Sequence, residues 1–380
     1  MSEHFIVNTS LLNRPHSGIA RYLKGIYTHW PKSPEWTYPI FFNGKHTQPH
    51  LDVAHSSDQH WFIPVVKKYV PFSYRIKSIV QSRHLNRVIQ KQNVFLYHEP
   101  NFIPLRTNLP TCVTIHDLAF LKFPETLPQD RRLWLSQNIS KALHNSRRIF
   151  TVSETIKNEL LNHYHLEPQK IVPIFNSISK EFTTLAKSSN LDFIEKLGLQ
   201  HKKFLLFVGN VEPRKNLHFL LDLYQSMSES FKKSCPLVIV GSSHLYARYS
   251  APLLNSIKSH NFHFLSGLSD LELFYLYHSA SCLVFPSLYE GFGLPILESL
   301  TSGTPVIASK IAVFEELFPL GTSLIDLNNL SSWKENIIKM YESSPLVTQS
   351  TKAHYFKEFS WEKSALKMAQ EFNTLKNSPF

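Results

Sequence analysis

Phe285-Pro-Ser-Leu-Tyr-Glu-Gly-Phe-Gly-Leu-Pro-Ile-Leu-Glu298 decides the fold class. Cys282–Phe285 reads as a buried strand that enters a tight loop at Gly291 and Gly293. A helical pattern follows, with Pro295 suited to the first helical position, where a missing N–H costs nothing. Strand, glycine turn and helix make up half of a parallel βαβ unit. Backbone amides of Gly291, Phe292, Gly293 and Leu294 then face outward at a helix N-terminus, a natural seat for phosphate or sugar oxygens. Glycine lets the backbone approach such a ligand closely. Glu290 precedes the loop and Glu298 is expected on the first helical turn, so both carboxylates can face one ligand. Carboxylates accept hydrogen bonds from sugar hydroxyls and repel phosphate, which assigns the amides to a diphosphate and the glutamates to hydroxyls. Taken alone, Glu298 also fits a plain role in balancing the helix dipole.

The same unit recurs along the chain. At 380 residues it is long for one domain and comfortable for two. In the first half, strands are expected at Phe5–Asn8, Tyr38–Phe42, Val94–Tyr97, Cys112–Ile115, Arg148–Val152 and Ile171–Phe175. A loop through Pro15–Ser17 leads to a helix carrying Ile19, Tyr22, Leu23 and Ile26, and Ser153 is suited to cap the helix over Glu154–Asn162. The alternation restarts with Phe204–Val208, Leu237–Val240, Phe262–Leu265, Cys282–Phe285 and Pro305–Ala308. The fold class is α/β, with two doubly wound Rossmann-like halves and ligands expected at the carboxyl ends of the strands, in a cleft. The expected boundaries are 1–178 for the first domain, a linker at 179–190, 191–358 for the second domain and a closing helix at 359–380. Trp361, Ala365, Met368, Ala369 and Phe372 fall on one stripe of that helix, which must pack on folded protein.

A second stretch, Phe207-Val-Gly-Asn-Val-Glu-Pro-Arg-Lys-Asn216, carries complementary chemistry. Its strand ends at Gly209, and Asn216 is expected to cap a helix from Leu217. Arg214 and Lys215 stand just ahead of that helix, where cations oppose the macrodipole at a cost of roughly 0.3–1 kcal/mol each. A bound anion reverses that sign. Arg offers a planar fork of donors suited to phosphate, and Lys a mobile point charge.

Together the two stretches resemble the signature of the family 4 glycosyltransferases, retaining enzymes of GT-B fold, with an Arg–Lys pair and then two glutamates separated by seven residues, here Glu290 and Glu298. Thr114-Ile-His-Asp-Leu-Ala-Phe120 with Phe123-Pro-Glu-Thr-Leu-Pro128 resembles the first-domain loop of that family, and Val152-Ser-Glu154 and Phe359-Ser-Trp361 also fit. His16-Ser-Gly-Ile-Ala20 matches its glycine-rich loop in part, with one glycine where relatives often have more. The resemblance implies that Arg214 and Lys215 hold the donor diphosphate and that Glu298 contacts the ribose. It implies that Glu290, with the Gly291–Gly293 amides, holds the transferred sugar, and that Gly18, Gly209 and Leu294 belong to the donor-binding loops. It puts His116 near the anomeric carbon; a histidine ending an apolar strand can equally be a hydrogen-bonded structural residue. In such sites the leaving phosphate is commonly proposed to take the acceptor proton. Fixed cations and amide dipoles at the departing diphosphate stabilise the transition state over the ground state. No Asp-x-Asp pair occurs, which favours a metal-free site and no cofactor beyond the nucleotide-sugar. The first-domain pattern resembles bacterial mannosyltransferases of surface polysaccharide assembly, including lipopolysaccharide, and implies GDP-mannose as donor, ahead of UDP-glucose or UDP-N-acetylglucosamine.

The charge balance bears on partners. The formal net charge is +11, and residues 1–180 hold 22 Lys/Arg against 11 Asp/Glu, so the excess lies there. Trp61–Tyr97 contains seven Lys/Arg and no acid. It reads either as a solvated face or as a contact for anionic lipid, which suits a glycan or lipid-linked oligosaccharide acceptor at the inner membrane face. Ile76, Ile79 and Val80 face nearly opposite to Leu85, Val88 and Ile89, so one clean interfacial helix is not expected. No apolar run approaches the ~18 residues of a membrane span, and the start of the chain has no signal-peptide core. Cys112, Cys235 and Cys282 are widely spaced and read as reduced packing residues, which points to the cytoplasm. Gly44-Lys45-His46 lacks the upstream glycine of a phosphate-binding loop, and Gly291–Ile296 lacks the third dinucleotide glycine. His98-Glu99-Pro100 excludes a His-Glu-x-x-His protease. The remaining alternatives are a GT-B epimerase or phosphorylase, and a non-enzymatic basic protein that binds membrane or, less favoured, nucleic acid.

Overall fold

The computed structural model describes residues 4–12, 18–48, 50–51, 73–127, 129–178, 191–241 and 262–377. The expected linker at 179–190, the loop at 15–17 and the basic residues Lys67 and Lys68 lie outside these. The chain forms two compact units, Met1–Asn176 with Trp361–Phe380, and Ser177–Ser360.

The first unit is built on a seven-stranded sheet. Its strands are β1 (His4–Asn8), β2 (Tyr38–Phe42), β3 (Thr47–Gln48), β4 (Val94–Glu99), β5 (Thr111–Ile115), β6 (Arg148–Thr151) and β7 (Ile171–Pro173). Their spatial order is β3-β2-β1-β4-β5-β6-β7, and every pairing is parallel except β2 with β3. The chain moves outward from β1 to β2 and then returns to β4 on the other side, so the winding reverses between β1 and β4. Ser153 caps the Glu154–Tyr164 helix, accepting from Ile156 N at 3.3 Å. The closing helix, Trp361–Asn377, buries the expected stripe: Phe372 packs 4.7 Å from Phe5, 5.7 Å from Trp30 and 5.8 Å from Phe150, centroid to centroid. Gly25 of the Gly18–Thr28 helix lies directly under the Trp361 ring, and a Cβ there would collide with it.

The second unit carries a six-stranded, wholly parallel sheet: β8 (Leu205–Val208), β9 (Leu237–Val240), β10 (Phe262–Leu265), β11 (Cys282–Phe285), β12 (Val306–Ser309) and β13 (Thr322–Ile325). Its order is β10-β9-β8-β11-β12-β13, with the reversal between β8 and β11. Leu205-Leu-Phe-Val208, Leu237-Val-Ile-Val240 and Cys282-Leu-Val-Phe285 are short apolar runs because both sheet faces are covered. These are the two GT-B Rossmann-like domains that the sequence resemblance implied.

Two strands escape the sequence pattern. β3 is a polar two-residue antiparallel edge, and β13 mixes Thr and Ser with Leu and Ile. Three local expectations are also corrected. Asn216 does bound the Leu217–Gln225 helix but with φ 55°, and its side chain makes no cap bond. It also ends the tight turn Pro213–Lys215, and the join between two helical segments needs the left-handed backbone that Asn tolerates. Glu298 is the fifth residue of the Leu294–Ser302 helix, so it stands on the second turn; Gly293, at φ 103°, is the cap and Pro295 the second helical residue.

Candidate active site

The loops after β8 and β11 emerge at the reversal point of the second sheet, where open parallel sheets bind ligands. A backbone bond from Leu288 N to Arg214 O (2.7 Å) ties the two loops together. At the end of β8 the backbone is crowded: a Cβ on Gly241 would run into Gly209 O, and Gly209 N donates to Val240 O at 2.9 Å. Gly209 also lies beside the stem of Lys215, whose ammonium stands 5.1 Å from the Phe285 ring centroid.

Arg214, Lys215 and Glu290 form one cluster. Arg214 Nη1 donates to Glu290 Oε2 (2.9 Å) and to Tyr289 O (3.3 Å), and its Nε donates to Glu212 Oε2 (2.9 Å). Lys215 Nζ donates to Glu290 Oε1, which also accepts from Ser287 Oγ at 2.9 Å. Glu290 and Lys215 are only 6% and 8% exposed. Burial pushes the Glu290 carboxyl up, but Lys215, Arg214 and the bond from Ser287 outweigh it and hold the group below its ordinary value. A carboxylate offers about four lone-pair positions; three are taken, and one remains for a ligand hydroxyl. Ser287, Glu212 and Gly241 were not singled out by the sequence.

The glycine turn is equally constrained. A Cβ on Gly293 would stand 2.8 Å from Phe314 Cε1, in addition to the strain of its positive φ. Phe292 turns inward, packing against Phe359 (5.4 Å) and Phe318 (5.8 Å), so its contribution to a ligand is its backbone. Glu298 is buried and accepts from Tyr277 OH at 2.8 Å, a partner on the Asp270–Ser279 helix.

Gly18 and His116 belong to the first unit. Gly18 opens its helix, exposed, with nothing within 4 Å of the position a Cβ would take. His116 follows β5 immediately; its Nε2 bonds to Pro100 O at 2.9 Å and its ring meets Tyr22 edge-on at 5.0 Å. A carbonyl only accepts, so Nε2 carries the hydrogen and Nδ1 keeps a lone pair. Burial pulls the His116 pKa down, against the Pro100 bond and Asp117, which favours the neutral ring.

Residues 18–182 match the glycosyltransferase family 4 and residues 190–358 match glycosyl transferases group 1. The chain therefore carries a glycosyltransferase family 4 domain followed by a glycosyl transferases group 1 domain. It is 28% identical over 276 residues to O-antigen chain mannosyltransferase B of Escherichia coli, covering 70% of this chain and 71% of that one. It is 30% identical over 244 residues to the O-antigen chain mannosyltransferase RfbU of Salmonella typhimurium, covering 64% of this chain and a little under two-thirds, 63%, of the relative. Among solved structures, sucrose-phosphate synthase from Thermosynechococcus elongatus shares the fold with a TM-score of 0.70 at 17% identity, covering 98% and 99% of the two chains. HepE of Anabaena, solved with UDP and glucose, has a TM-score of 0.66 at 16% identity and covers 98% and 100%.

Proposed function

We propose that this glycosyltransferase moves mannose from GDP-mannose to a glycan or lipid-linked glycan, with retention at the anomeric carbon and without a metal. The observation that carries the reading is the Arg214–Lys215–Glu290 cluster beside the Gly291–Gly293 turn, at the reversal point of the second sheet. Arg214, Lys215 and the turn's amides receive the charge that develops on the departing diphosphate. Glu290 holds both cations in place and offers its remaining lone pair to a sugar hydroxyl. Glu298, oriented by Tyr277, takes the ribose. His116 presents a neutral ring on the acceptor side. The mannosyl donor is supported by the names of the two bacterial relatives, which are mannosyltransferases of O-antigen chains.

We place the reaction in the cytoplasm, at the inner membrane face. Among the described residues no helix is long and apolar enough to cross a membrane. The Ser73–Ile89 helix buries Leu85 against Ile6, Phe42 and Tyr97, with Val88 and Ile89 packed alongside. Ile76, Ile79 and Val80 stay exposed among Arg75, Lys77 and Arg83, and each such cation near an anionic surface contributes about 1 kcal/mol. Equal sedimentation with anionic and neutral vesicles would refute this contact.

The test of the reaction is donor consumption. GDP-mannose, UDP-glucose and UDP-N-acetylglucosamine are offered separately in EDTA, with a glycan acceptor mixture, and released nucleoside diphosphate is followed. Release from GDP-mannose, lost in Arg214→Ala and Glu298→Ala, is expected. Release only from a UDP-sugar would overturn the mannosyl assignment, and release that needs a divalent metal would overturn metal independence.

A further inference from the structure

The loop after β8 places a carboxylate where an anion is expected to bind. Glu212 stands two residues before Arg214 and three before Lys215, the cations that receive the donor diphosphate in the proposed function. A negative charge so near that seat repels the ligand, so electrostatics alone argue against an acid here. Its bonds argue for one.

Glu212 precedes Pro213, and the residue before a proline is steered to extended backbone; its φ is −121° and its ψ 142°. Its N donates to Asn210 O at 2.8 Å and its O accepts from Lys215 N at 3.0 Å, so its backbone braces the tight turn Pro213–Lys215. The side chain then takes Arg214 Nε at 2.9 Å. Both side chains of this pair are well shielded, with Arg214 16% and Glu212 13% exposed. Among the described residues the carboxylate bonds to no other side chain.

Arg214 thus has two carboxylate anchors of different kinds. Glu290 Oε2 takes Nη1 from the loop after β11, 76 residues further along the chain, whereas Glu212 takes Nε from the same loop as Arg214. Glu290 is already shared with Lys215 and Ser287, and a sugar hydroxyl would draw on it further. The bond to Glu212 is local and outlasts that change. Nε lies in the stem of the side chain, so fixing it sets the plane of the guanidinium, and a planar fork serves phosphate only when oriented.

We infer that Glu212 is a positioning residue: it holds the Arg214 guanidinium in the orientation that meets the departing diphosphate, against its own repulsion of that group. The inference rests on the transferase reading for the departing group, and on the bonds above for the hold.

Glu212→Ala and Glu212→Gln separate orientation from charge. Both remove the negative charge, and Gln alone keeps an oxygen for Nε. With the sugar nucleotide that the wild type consumes, Glu212→Ala is expected to lose about 100-fold in kcat, the cost of a misplacement of roughly 1 Å. Glu212→Gln should recover most of that loss. By calorimetry, GDP or UDP should bind both variants at least as tightly as the wild type, since a repelling charge is gone. Wild-type kcat in Glu212→Ala, or equal losses in both variants, would overturn the inference. So would weakened nucleotide binding with a lowered melting temperature in Glu212→Ala, the mark of a merely structural role. The hold is also read without turnover, by nuclear magnetic resonance of protein carrying isotope-labelled arginine. The Arg214 Nε–H signal, identified by its disappearance in Arg214→Lys, should exchange slowly with water in the wild type and Glu212→Gln, and fast in Glu212→Ala. Equal exchange in all three would refute the hold. A wild type that binds nucleotide and shows the slow Nε–H, yet consumes no donor, refutes the transferase reading alone; full turnover by Glu212→Ala refutes the positioning role alone.

Discussion

Replacing Glu290 by Gln tests the energetics of the resting site and its link to the ligand. In the wild-type cluster two cations, Arg214 and Lys215, are balanced by Glu290 and Glu212. Gln keeps the shape but leaves one positive charge uncompensated among groups that are largely buried. Removing one partner of a buried pair costs about 3–5 kcal/mol. Arg214 and Glu212 are the better hydrated members and soften the loss, so the lower end, about 3 kcal/mol, applies. For a domain of 150–250 residues that is a fall of about 6–12 °C in melting temperature. Nucleoside diphosphate supplies the missing anion, so it should stabilise the variant more than the wild type, whose cations must first be shared with Glu290. A ligand at about 100 times its Kd stabilises by about 2.7 kcal/mol, enough to recover most of the loss. Differential scanning fluorimetry with and without GDP or UDP reads both effects. A melting temperature within about 2 °C of wild type, together with an unchanged nucleotide response, would refute the account of a tightly coupled, anion-seeking cluster.

Gly293→Ala should lower stability by at least about 1–3 kcal/mol and weaken nucleoside diphosphate binding, because the new methyl meets both a positive φ and the Phe314 ring; unchanged affinity by calorimetry would separate the turn from the ligand. Glu99 titrates near 7 in the folded protein against an ordinary value of 4.5. The folded state therefore holds a proton that the unfolded state has lost, and stability falls as pH rises through that window, by up to about 3 kcal/mol. Glu99→Gln removes this penalty, so its melting temperature should gain on wild type between pH 5 and pH 8; a constant difference would contradict it. Gly25→Leu should release the closing helix from its seat under Trp361, read as faster proteolysis at the C-terminal end in a native digest.

Much of this architecture is legible locally. The central strands of the second sheet are bounded apolar runs with turn signals, and the functional loops announce themselves as Arg-Lys and Gly-Phe-Gly beside strand ends. Two of the four edge strands carry no such signal, since Thr47-Gln48 is polar and Thr322-Ser-Leu-Ile325 mixes polar with apolar residues, whereas the edges Ile171–Pro173 and Phe262–Leu265 remain apolar enough to read. What one stretch cannot display is which groups neutralise one another. Glu290 looks like a free sugar ligand until the fold brings Arg214 and Lys215 to it across 75 residues of chain. Tyr277 reaches Glu298 only because two helices pack together, and Gly241 matters only because Gly209 O lies against it. Asn216 misled because residue type suggests a side-chain cap, whereas the join of two helical segments required its backbone instead.

The first unit is completed by the far end of the chain, with Phe372 seated among Phe5, Trp30 and Phe150. During synthesis, therefore, residues up to Asn176 emerge with an apolar slot that their own segment cannot fill. About 200 further residues must follow, and at about 5–20 residues per second the wait is roughly 10–40 s. The second unit, continuous in sequence, is able to close within that interval. The early half is then the aggregation-exposed species at the ribosome, and a nascent chain halted near residue 300 should engage a chaperone through the vacant slot beside Phe5, with its nucleotide-binding half already forming.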